Sequence, residues 1–200
     1  MANKKKKEKK KIVKKTNVIL KKKKRKWVSI FAPKNFGGME LGECYITDAQ
    51  DLKGRRLKVS LSNLGKGKNN SIKIIFEVDS VSEGNGITSA IGYYILNSFS
   101  RRVVKKGRTK IHKVLKLKTK DGVETIIKVV LSTRNVVQSS VSKALRVGVE
   151  KEVGELFKKN DFDKVLDSII SYQTQKSFRK NLSKVYPVAS LEIISFKKAF

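Results

Sequence analysis

The residue types that could carry out catalysis are scarce in this chain and are widely separated. His112 is the single histidine and Cys44 is the single cysteine, and a Ser-His-Asp or Cys-His arrangement would need His112 beside one of the nucleophiles. Because His112 lies in a basic segment with the pattern of a strand, we interpret it as a structural or exposed residue. The sequence therefore predicts a protein that is not an enzyme.

Metal ions and nucleotide cofactors also lack a specific binding motif. A zinc site needs about four Cys or His ligands, and the chain has one residue of each type. The pairs Gly65-x-Gly67 and Gly84-x-Gly86 lack the third glycine of a dinucleotide-binding loop, so we interpret them as hairpin loops. Asp161 and Asp163 fit the acidic start of a helix better than a metal pair. No metal, no cofactor and no small-molecule substrate are predicted.

Positive charge restricts the possible partners most strongly. The 200 residues include 47 Lys and Arg against 17 Asp and Glu, for a formal net charge of +30. A chain with this charge density repels itself unless it binds a polyanion, which could be nucleic acid, an anionic membrane surface or an acidic protein. The sequence shows neither a signal-peptide pattern nor a long apolar span, so we expect a soluble protein with a nucleic-acid partner and no place in a membrane.

The charge is divided between an N-terminal tail and the rest of the chain. Residues 1–26 hold fourteen Lys and Arg25 against Glu8, a net charge of +14 that leaves +16 for residues 27–200. Blocks of like charge are disordered in the free chain. We expect a flexible Lys-rich tail over residues 1–26 and a single basic RNA-binding domain over residues 27–200.

Binding to RNA phosphates requires several long cationic side chains, and arginine suits this role because its planar fork can bind two phosphate oxygens at once. A single lysine is as often solvated surface as a contact, but no acidic residue interrupts the run from Arg101 to Lys110. The candidate RNA-binding residues are Lys22, Lys23, Lys24, Arg25, Lys26, Lys53, Arg55, Arg56, Arg101, Arg102, Lys105, Lys106, Arg108, Lys110, Arg134, Lys143, Arg146, Arg179 and Lys180, with Lys176 and Lys184 beside the last pair.

Aromatic side chains can also bind RNA, by stacking on unpaired bases. Trp27, Tyr93 and Tyr94 are the candidates, although a place in the core is the favoured interpretation of Trp27. The sequence has neither the aromatic motif of RNA-recognition domains nor the Gly-x-x-Gly loop of KH domains. Recognition of RNA shape and phosphates is therefore predicted over reading of the base sequence.

Alternating apolar residues predict the strands that position these cations. The predicted strands cover residues 27–32, 44–47, 55–61, 72–78, 111–119, 123–131 and 191–196. Residues 55–78 form one hairpin, and Asp121-Gly122 predicts a two-residue turn for a second. Residues 87–96 are ambiguous with strand favoured, and a short helix is expected to follow as far as Val104.

After residue 131 the apolar period changes from two to 3.6, which predicts helices. Asn135 and Gln138 resemble a capping box at the start of the first helix. A second helix follows Asp161 as its cap, and a third is expected near residues 177–185, ending before Pro187. Strands followed by helices predict an α+β fold.

Several segments of the chain resemble, in the same order, the ribosomal protein S3Ae (eS1) family of archaea and eukaryotes. The most specific segment is LKGRRLKVSLSNL at residues 52–64, and modest matches surround it. These are the basic tail running into Trp27, Ala32-Pro33, Leu41-Gly42, Phe76-Glu77-Val78, Arg101-Arg102, Thr119-Lys120-Asp121-Gly122, Gln138-Ser139-Ser140 and Tyr186-Pro187.

The resemblance implies a barrel-like, β-rich core of antiparallel strands with flanking helices in the C-terminal half. It also implies a cytoplasmic structural protein of the small ribosomal subunit, near the platform and the messenger exit, in a compact archaeal form. The implied partners are ribosomal RNA, neighbouring ribosomal proteins and messenger RNA. By position, RNA contact is implied for Lys53, Arg55, Arg56, Arg101, Arg102, Lys143 and Arg146. The alternative is a free nucleic-acid chaperone or a chromatin-like DNA-packing protein.

Overall fold

A computed structural model of the chain describes residues 24–65 and 70–199, so most of the predicted tail, with Lys22 and Lys23, and part of the loop after Gly65 lie outside the described residues. The described residues form eight strands and four α-helices. In chain order these are β1 (Lys26–Phe31), β2 (Glu40–Ile46), β3 (Arg56–Ser60), β4 (Ile72–Ser82), β5 (Asn85–Ile95), α1 (Asn97–Val103), β6 (Lys110–Lys118), β7 (Glu124–Thr133), α2 (Ser139–Lys159), α3 (Phe162–Ile170), α4 (Gln173–Leu182) and β8 (Val188–Lys198).

All of these strands belong to one branched sheet. Its main path runs β2-β1-β5-β8-β7-β6, and a branch adds β4 and then β3 to β5. The pairs are antiparallel except for β1 and β5, which run parallel where Ile30 pairs with Gly86. The predicted α+β fold is confirmed, with this one parallel contact among its antiparallel strands.

Gly92 allows the last strand to join the middle of the sheet. β5 pairs with β4 along one edge, while its other edge is shared by β1 near Gly86 and by β8 at Gly92–Tyr94. A Cβ atom at position 92 would lie 2.9 Å from the carbonyl oxygen of Phe196 and 3.0 Å from Cβ of Lys197. Because these are atoms at or next to the backbone, the close approach of β8 requires a residue without a side chain.

The main core lies between this sheet and helices α2, α3 and α4. Phe196 of β8 is at its centre, edge-on to Phe157 at 5.7 Å between ring centroids and stacked on Phe162 at 5.0 Å. The change of apolar period is confirmed, because α2 buries one residue in each turn. These residues are Leu145, Val149, Val153 and Phe157.

A second, smaller core lies under β1, β2 and the 3-10 turn at Ala49–Leu52. Its buried residues are Ile30, Ile46, Leu52 and Val78, and the partly buried Cys44 packs against them. The single cysteine therefore has a packing role in the structure.

Several local predictions are wrong in detail. The loop between β6 and β7 has three residues rather than two, because Thr119 N–H donates to the Val123 carbonyl at 3.0 Å and Gly122 adopts the positive φ of a three-residue hairpin. The capping box of Asn135 and Gln138 does not form at the start of α2. α4 begins at Gln173, four residues before the predicted start.

The start of α3 shows why such details escape a sequence pattern. Asp161 holds the predicted cap position, but its side chain makes no capping bond. Oδ2 of Asp121, in the β6–β7 loop, instead accepts a hydrogen bond from Phe162 N–H at 3.0 Å. The first N–H groups of a helix have no acceptor within the helix. At the start of α3, a residue that is distant in sequence supplies one of these acceptors.

Candidate nucleic-acid interface

Three of the predicted RNA-binding arginines, from three separate segments, line one recess. Arg108 precedes β6, Arg134 follows β7 and Arg179 lies on α4. The other residues of this arginine recess are Ser183, Pro187, Val188 and Ala189. None of the lining residues is acidic, so the field inside the recess is positive.

Two threonines, Thr109 and Thr133, hold Arg108 and Arg134 side by side. Thr133 is fully buried, and its Oγ1 accepts a hydrogen bond from Thr109 N–H at 3.1 Å and donates one to the Asn135 carbonyl at 2.6 Å. Thr133 N–H donates in turn to the Thr109 carbonyl at 3.1 Å. Since each arginine is the chain neighbour of one threonine, this network fixes the distance between their backbones.

The third arginine is brought to the recess by the packing of α4 on β8. Arg179 Nε donates to the Val188 carbonyl at 3.3 Å, at the start of β8. Arg134 N–H donates to the Pro187 carbonyl at 3.1 Å, one residue earlier. The segment before β8 therefore connects the helix side of the recess to the strand side.

The arginine recess has many unused hydrogen-bond donors. A guanidinium carries five N–H groups, and among the described residues the side chains of Arg108 and Arg134 have no hydrogen-bond or ion-pair partner. The recess is open to solvent and has a volume of about 620 Å³. Convergent, unpaired guanidinium groups are suited to bidentate binding of phosphate oxygens.

The basic run from Arg101 to Lys110 leads along the surface to this recess. Arg101 and Arg102 are exposed in the last turn of α1, and Lys105 and Lys106 are exposed in the turn that follows. The end of α1 is attached to β8, because Ser190 Oγ donates to the Val103 carbonyl at 3.2 Å. Ser190 directly follows the recess residue Ala189, so both ends of the run lie close to the recess.

The remaining predicted cations on the C-terminal half are exposed on helices or at strand starts. Lys143 and Arg146 lie on α2, and Lys110 begins β6. Lys176, Lys180 and Lys184 lie on or just after α4 and are also exposed. None of them lines the recess, but Lys180 is the chain neighbour of Arg179.

The arginines beside the second core are engaged within the protein. Arg56 Nε lies 3.1 Å from Glu77 Oε2 on the paired strand β4. Arg55 Nε donates to the Asp51 carbonyl at 3.0 Å, which closes the turn before β3. Lys53, in contrast, has no hydrogen-bond or ion-pair partner in the described part of the chain.

The aromatic candidates do not lie where the sequence favoured them. Trp27 is 67% exposed, so the prediction that it belongs to the core is wrong. Tyr93 is 1% exposed, which excludes it from stacking on a base. Tyr94 is half-buried on β5, with Lys58 Nζ 5.9 Å from its ring centroid.

His112 is exposed on β6, and the pKa of its imidazole is lowered by partial burial and by the charges of Lys110 and Lys128. Within residues 24–65 and 70–199, no group of three or more His, Cys, Asp or Glu side chains could hold a metal ion. No helix in the same ranges combines the length and apolar character needed to cross a bilayer.

A polar contact near the recess was not predicted from the sequence. Tyr172 Oη donates to Glu192 Oε1 at 2.6 Å, and burial raises the pKa of the Glu192 carboxyl. Burial and the same hydrogen bond raise the pKa of Tyr172, whereas Arg179 opposes that rise. The one sign of this contact in the sequence is the carboxylate of Glu192 within the apolar run of β8.

The fold and the arginine recess define a strongly basic α+β protein with a concentrated cationic site. The chain belongs to the Ribosomal S3Ae family, whose family profile matches residues 6–199. The family resemblance of the sequence motifs is thereby confirmed.

Several named relatives cover most of the chain. It is similar to small ribosomal subunit protein eS1 of Methanothermobacter thermautotrophicus, with 26% identity over 171 residues, 85% of this chain and 88% of the relative. The protein of the same name from Desulfurococcus amylolyticus is 25% identical over 174 residues, 86% of this chain and 82% of the relative. That of Methanobrevibacter smithii is 27% identical over 174 residues, 86% of this chain and 90% of the relative.

Proposed function

We propose that this protein is a structural component of the small ribosomal subunit that binds ribosomal RNA through phosphate contacts centred on the arginine recess. Membership of the Ribosomal S3Ae family and relatives named small ribosomal subunit protein eS1 support the place in the subunit. The convergence of Arg108, Arg134 and Arg179 at a site without lining carboxylates carries the proposal of phosphate binding.

The proposal extends to the surroundings of the protein. It acts in the cytoplasm, at the platform of the subunit near the messenger exit, beside neighbouring ribosomal proteins and messenger RNA. Its role is to hold RNA in place without catalysing a reaction. Residues 1–26, with a net charge of +14, form an RNA-binding arm attached to one domain that begins at Trp27. The exposed cations from Arg101 to Lys106 extend the contact from the recess along the RNA backbone.

The salt dependence of binding tests the phosphate contacts. The affinity of the full chain for small-subunit ribosomal RNA is measured by filter binding between about 50 and 200 mM salt. If roughly 6–10 phosphates are neutralised, the affinity falls steeply, by about 10³–10⁵-fold over this range. A nearly constant affinity would contradict the proposal.

A triple variant tests the recess itself. Changing Arg108, Arg134 and Arg179 to Ala should lower the affinity on the order of hundredfold and reduce the salt slope by about three. The matched control changes Lys151, Lys158 and Lys159, which are exposed on α2, and removes the same charge. Equal losses in the two variants would show that only total charge matters.

Competition separates the ribosome from the alternative of a DNA-packing protein. The full chain is mixed with small subunits and an excess of duplex DNA, and is then sedimented at moderate salt. We expect it to sediment with the subunits. Recovery with the DNA would favour the alternative and contradict the proposed function.

A further inference from the structure

Two large aromatic side chains are exposed together on the outer face of β1 and β2. Trp27 and Tyr45 are directly paired across the two strands and are 67% and 51% exposed. Their ring centroids are 5.0 Å apart, with the ring planes tilted by 40°. The two rings therefore form one continuous apolar surface, which we call the aromatic platform.

The fold itself does not account for this surface. Side chains alternate between the two faces of a strand, and the neighbours Val28 and Cys44 point inward and pack against the second core. Trp27 and Tyr45 point outward, and no described element covers them. Burial of an aromatic side chain of this size is strongly favourable, so an exposed pair indicates a contact surface.

Charge near the platform is strongly asymmetric. The Arg25 guanidinium lies 5.9 Å from the centroid of the Tyr45 ring, and Lys24 is exposed beside it. Glu43, two residues before Tyr45 on the same face of β2, is exposed at the opposite end. A ligand that fits must therefore be flat and apolar over the rings and negatively charged toward Lys24 and Arg25.

We propose that the aromatic platform stacks on an unpaired base of single-stranded RNA while Lys24 and Arg25 bind the adjoining phosphates. An unpaired nucleotide has this combination of an aromatic base and a phosphate at one side. The proposal rests on the proposed function for the class of partner, but it concerns a different face from the arginine recess and a different part of the RNA. It adds a contact with bases to a protein for which the sequence predicted phosphate contacts.

The fluorescence of the chain offers a direct test, because Trp27 is its single tryptophan. The full chain is titrated with oligouridylate of about ten nucleotides, and separately with inorganic polyphosphate of matched length. Stacking of uracil on the indole should quench the Trp27 emission in a saturable manner. Polyphosphate should bind with little quenching, because it has charge but no bases. Equal quenching by the two polyanions, or none by oligouridylate, would overturn the proposal.

Variants then measure the contribution of stacking to affinity. Trp27→Ala should weaken oligouridylate binding about tenfold, as expected for the loss of one stacked base, and Trp27→Phe should recover most of it. Val147→Ala, an exposed apolar residue on α2, is the control and should leave the affinity unchanged. Circular dichroism checks that each variant is folded. An affinity of Trp27→Ala equal to that of the unchanged protein would contradict stacking.

The outcomes separate this inference from the proposed function. Salt-dependent binding of ribosomal RNA combined with an unchanged Trp27 signal would reject the platform and leave the recess proposal standing. Quenching by RNA-free small-subunit proteins but not by oligouridylate would assign the face to a protein contact and would also reject it. Absence of any RNA binding would reject the proposed function as well.

Discussion

The arginines beside the second core and those of the arginine recess differ in how the fold uses their charge. Arg55 and Arg56 are adjacent in the most specific motif of the sequence, yet both make contacts within the protein, with the Asp51 carbonyl and with Glu77. Arg108, Arg134 and Arg179 come from distant segments and converge around a recess without carboxylates. The adjacent arginines thus belong to a turn and a strand start, whereas the convergent site contains the two arginines without partners among the described residues, Arg108 and Arg134.

The difference in pairing determines how much each arginine can contribute to RNA affinity. A guanidinium already paired with a carboxylate must exchange that partner for a phosphate, so its net gain is small. An unpaired guanidinium among other cations is electrostatically unfavourable until an anion arrives. We therefore expect the recess to dominate RNA affinity and the motif arginines to contribute more to the local fold.

The largest difference between the two regions is expected from two double variants that remove equal charge. Arg108→Ala with Arg134→Ala should lower the affinity for small-subunit RNA by roughly thirtyfold, because two charge-assisted contacts are lost. Arg55→Ala with Arg56→Ala removes the same charge and should lower it by less than about threefold. Filter binding at one fixed salt concentration measures both. Equal losses would remove the distinction between the two regions.

The next effect concerns the scaffold of the recess. Thr133→Val keeps the shape of the buried side chain but leaves Thr109 N–H without its bond to Oγ1 and the Asn135 carbonyl without its donor. We expect a loss of about 1–3 kcal/mol in the free energy of unfolding, measured by urea denaturation. Thr133→Ser retains the hydroxyl and is the control. A greater loss in the Ser variant would show that the methyl group matters more than the hydroxyl.

A smaller effect is expected at the ion pair beside the second core. The Arg56 and Glu77 side chains are 44% and 24% exposed, so solvent screens their attraction. A double-mutant cycle with Arg56→Ala and Glu77→Ala should give a coupling free energy of about 0.2–1 kcal/mol, which decreases with added salt. A coupling well above this range would make the motif arginines a major source of stability.

The smallest effect concerns the pH dependence of stability, through Glu192 near the recess. Because burial raises the pKa of Glu192 in the folded protein, the folded state retains a proton that the unfolded state releases as the pH rises through the ordinary Glu range. Stability should therefore decrease as the pH rises through that range and the folded pKa above it. Glu192→Gln should make this part of the curve of Tm against pH flatter. An unchanged curve would show that Glu192 does not titrate in this way.

The strands and the change of period were predictable because each depends on neighbouring residues. Alternation at Leu57 and Val59 defines β3, and the spacing of Leu145 and Val149 defines the buried face of α2. The cap of α3 by Asp121 was not predictable, because it depends on a tertiary contact over 41 residues.

The candidate site was predictable only as a set of separate cations. The sequence identified Arg108, Arg134 and Arg179 individually, but their convergence depends on where α4 and β8 pack. The exposure of Trp27 was also hard to predict, because the face of β1 that carries Trp27 and Ser29 also carries the apolar Phe31. Whether the other predicted cations contact RNA remains a prediction.

The place of β8 in the sheet has a consequence for the synthesis of this protein. β8 lies between β5 and β7, which do not pair with each other in the described residues. It leaves the ribosome after every other described element, and its 11 residues take roughly one second to translate. Until then the facing edges of β5 and β7 expose unpaired backbone groups that can template aggregation. A nascent chain stalled before Val188 would therefore have all three recess arginines but could not complete its sheet.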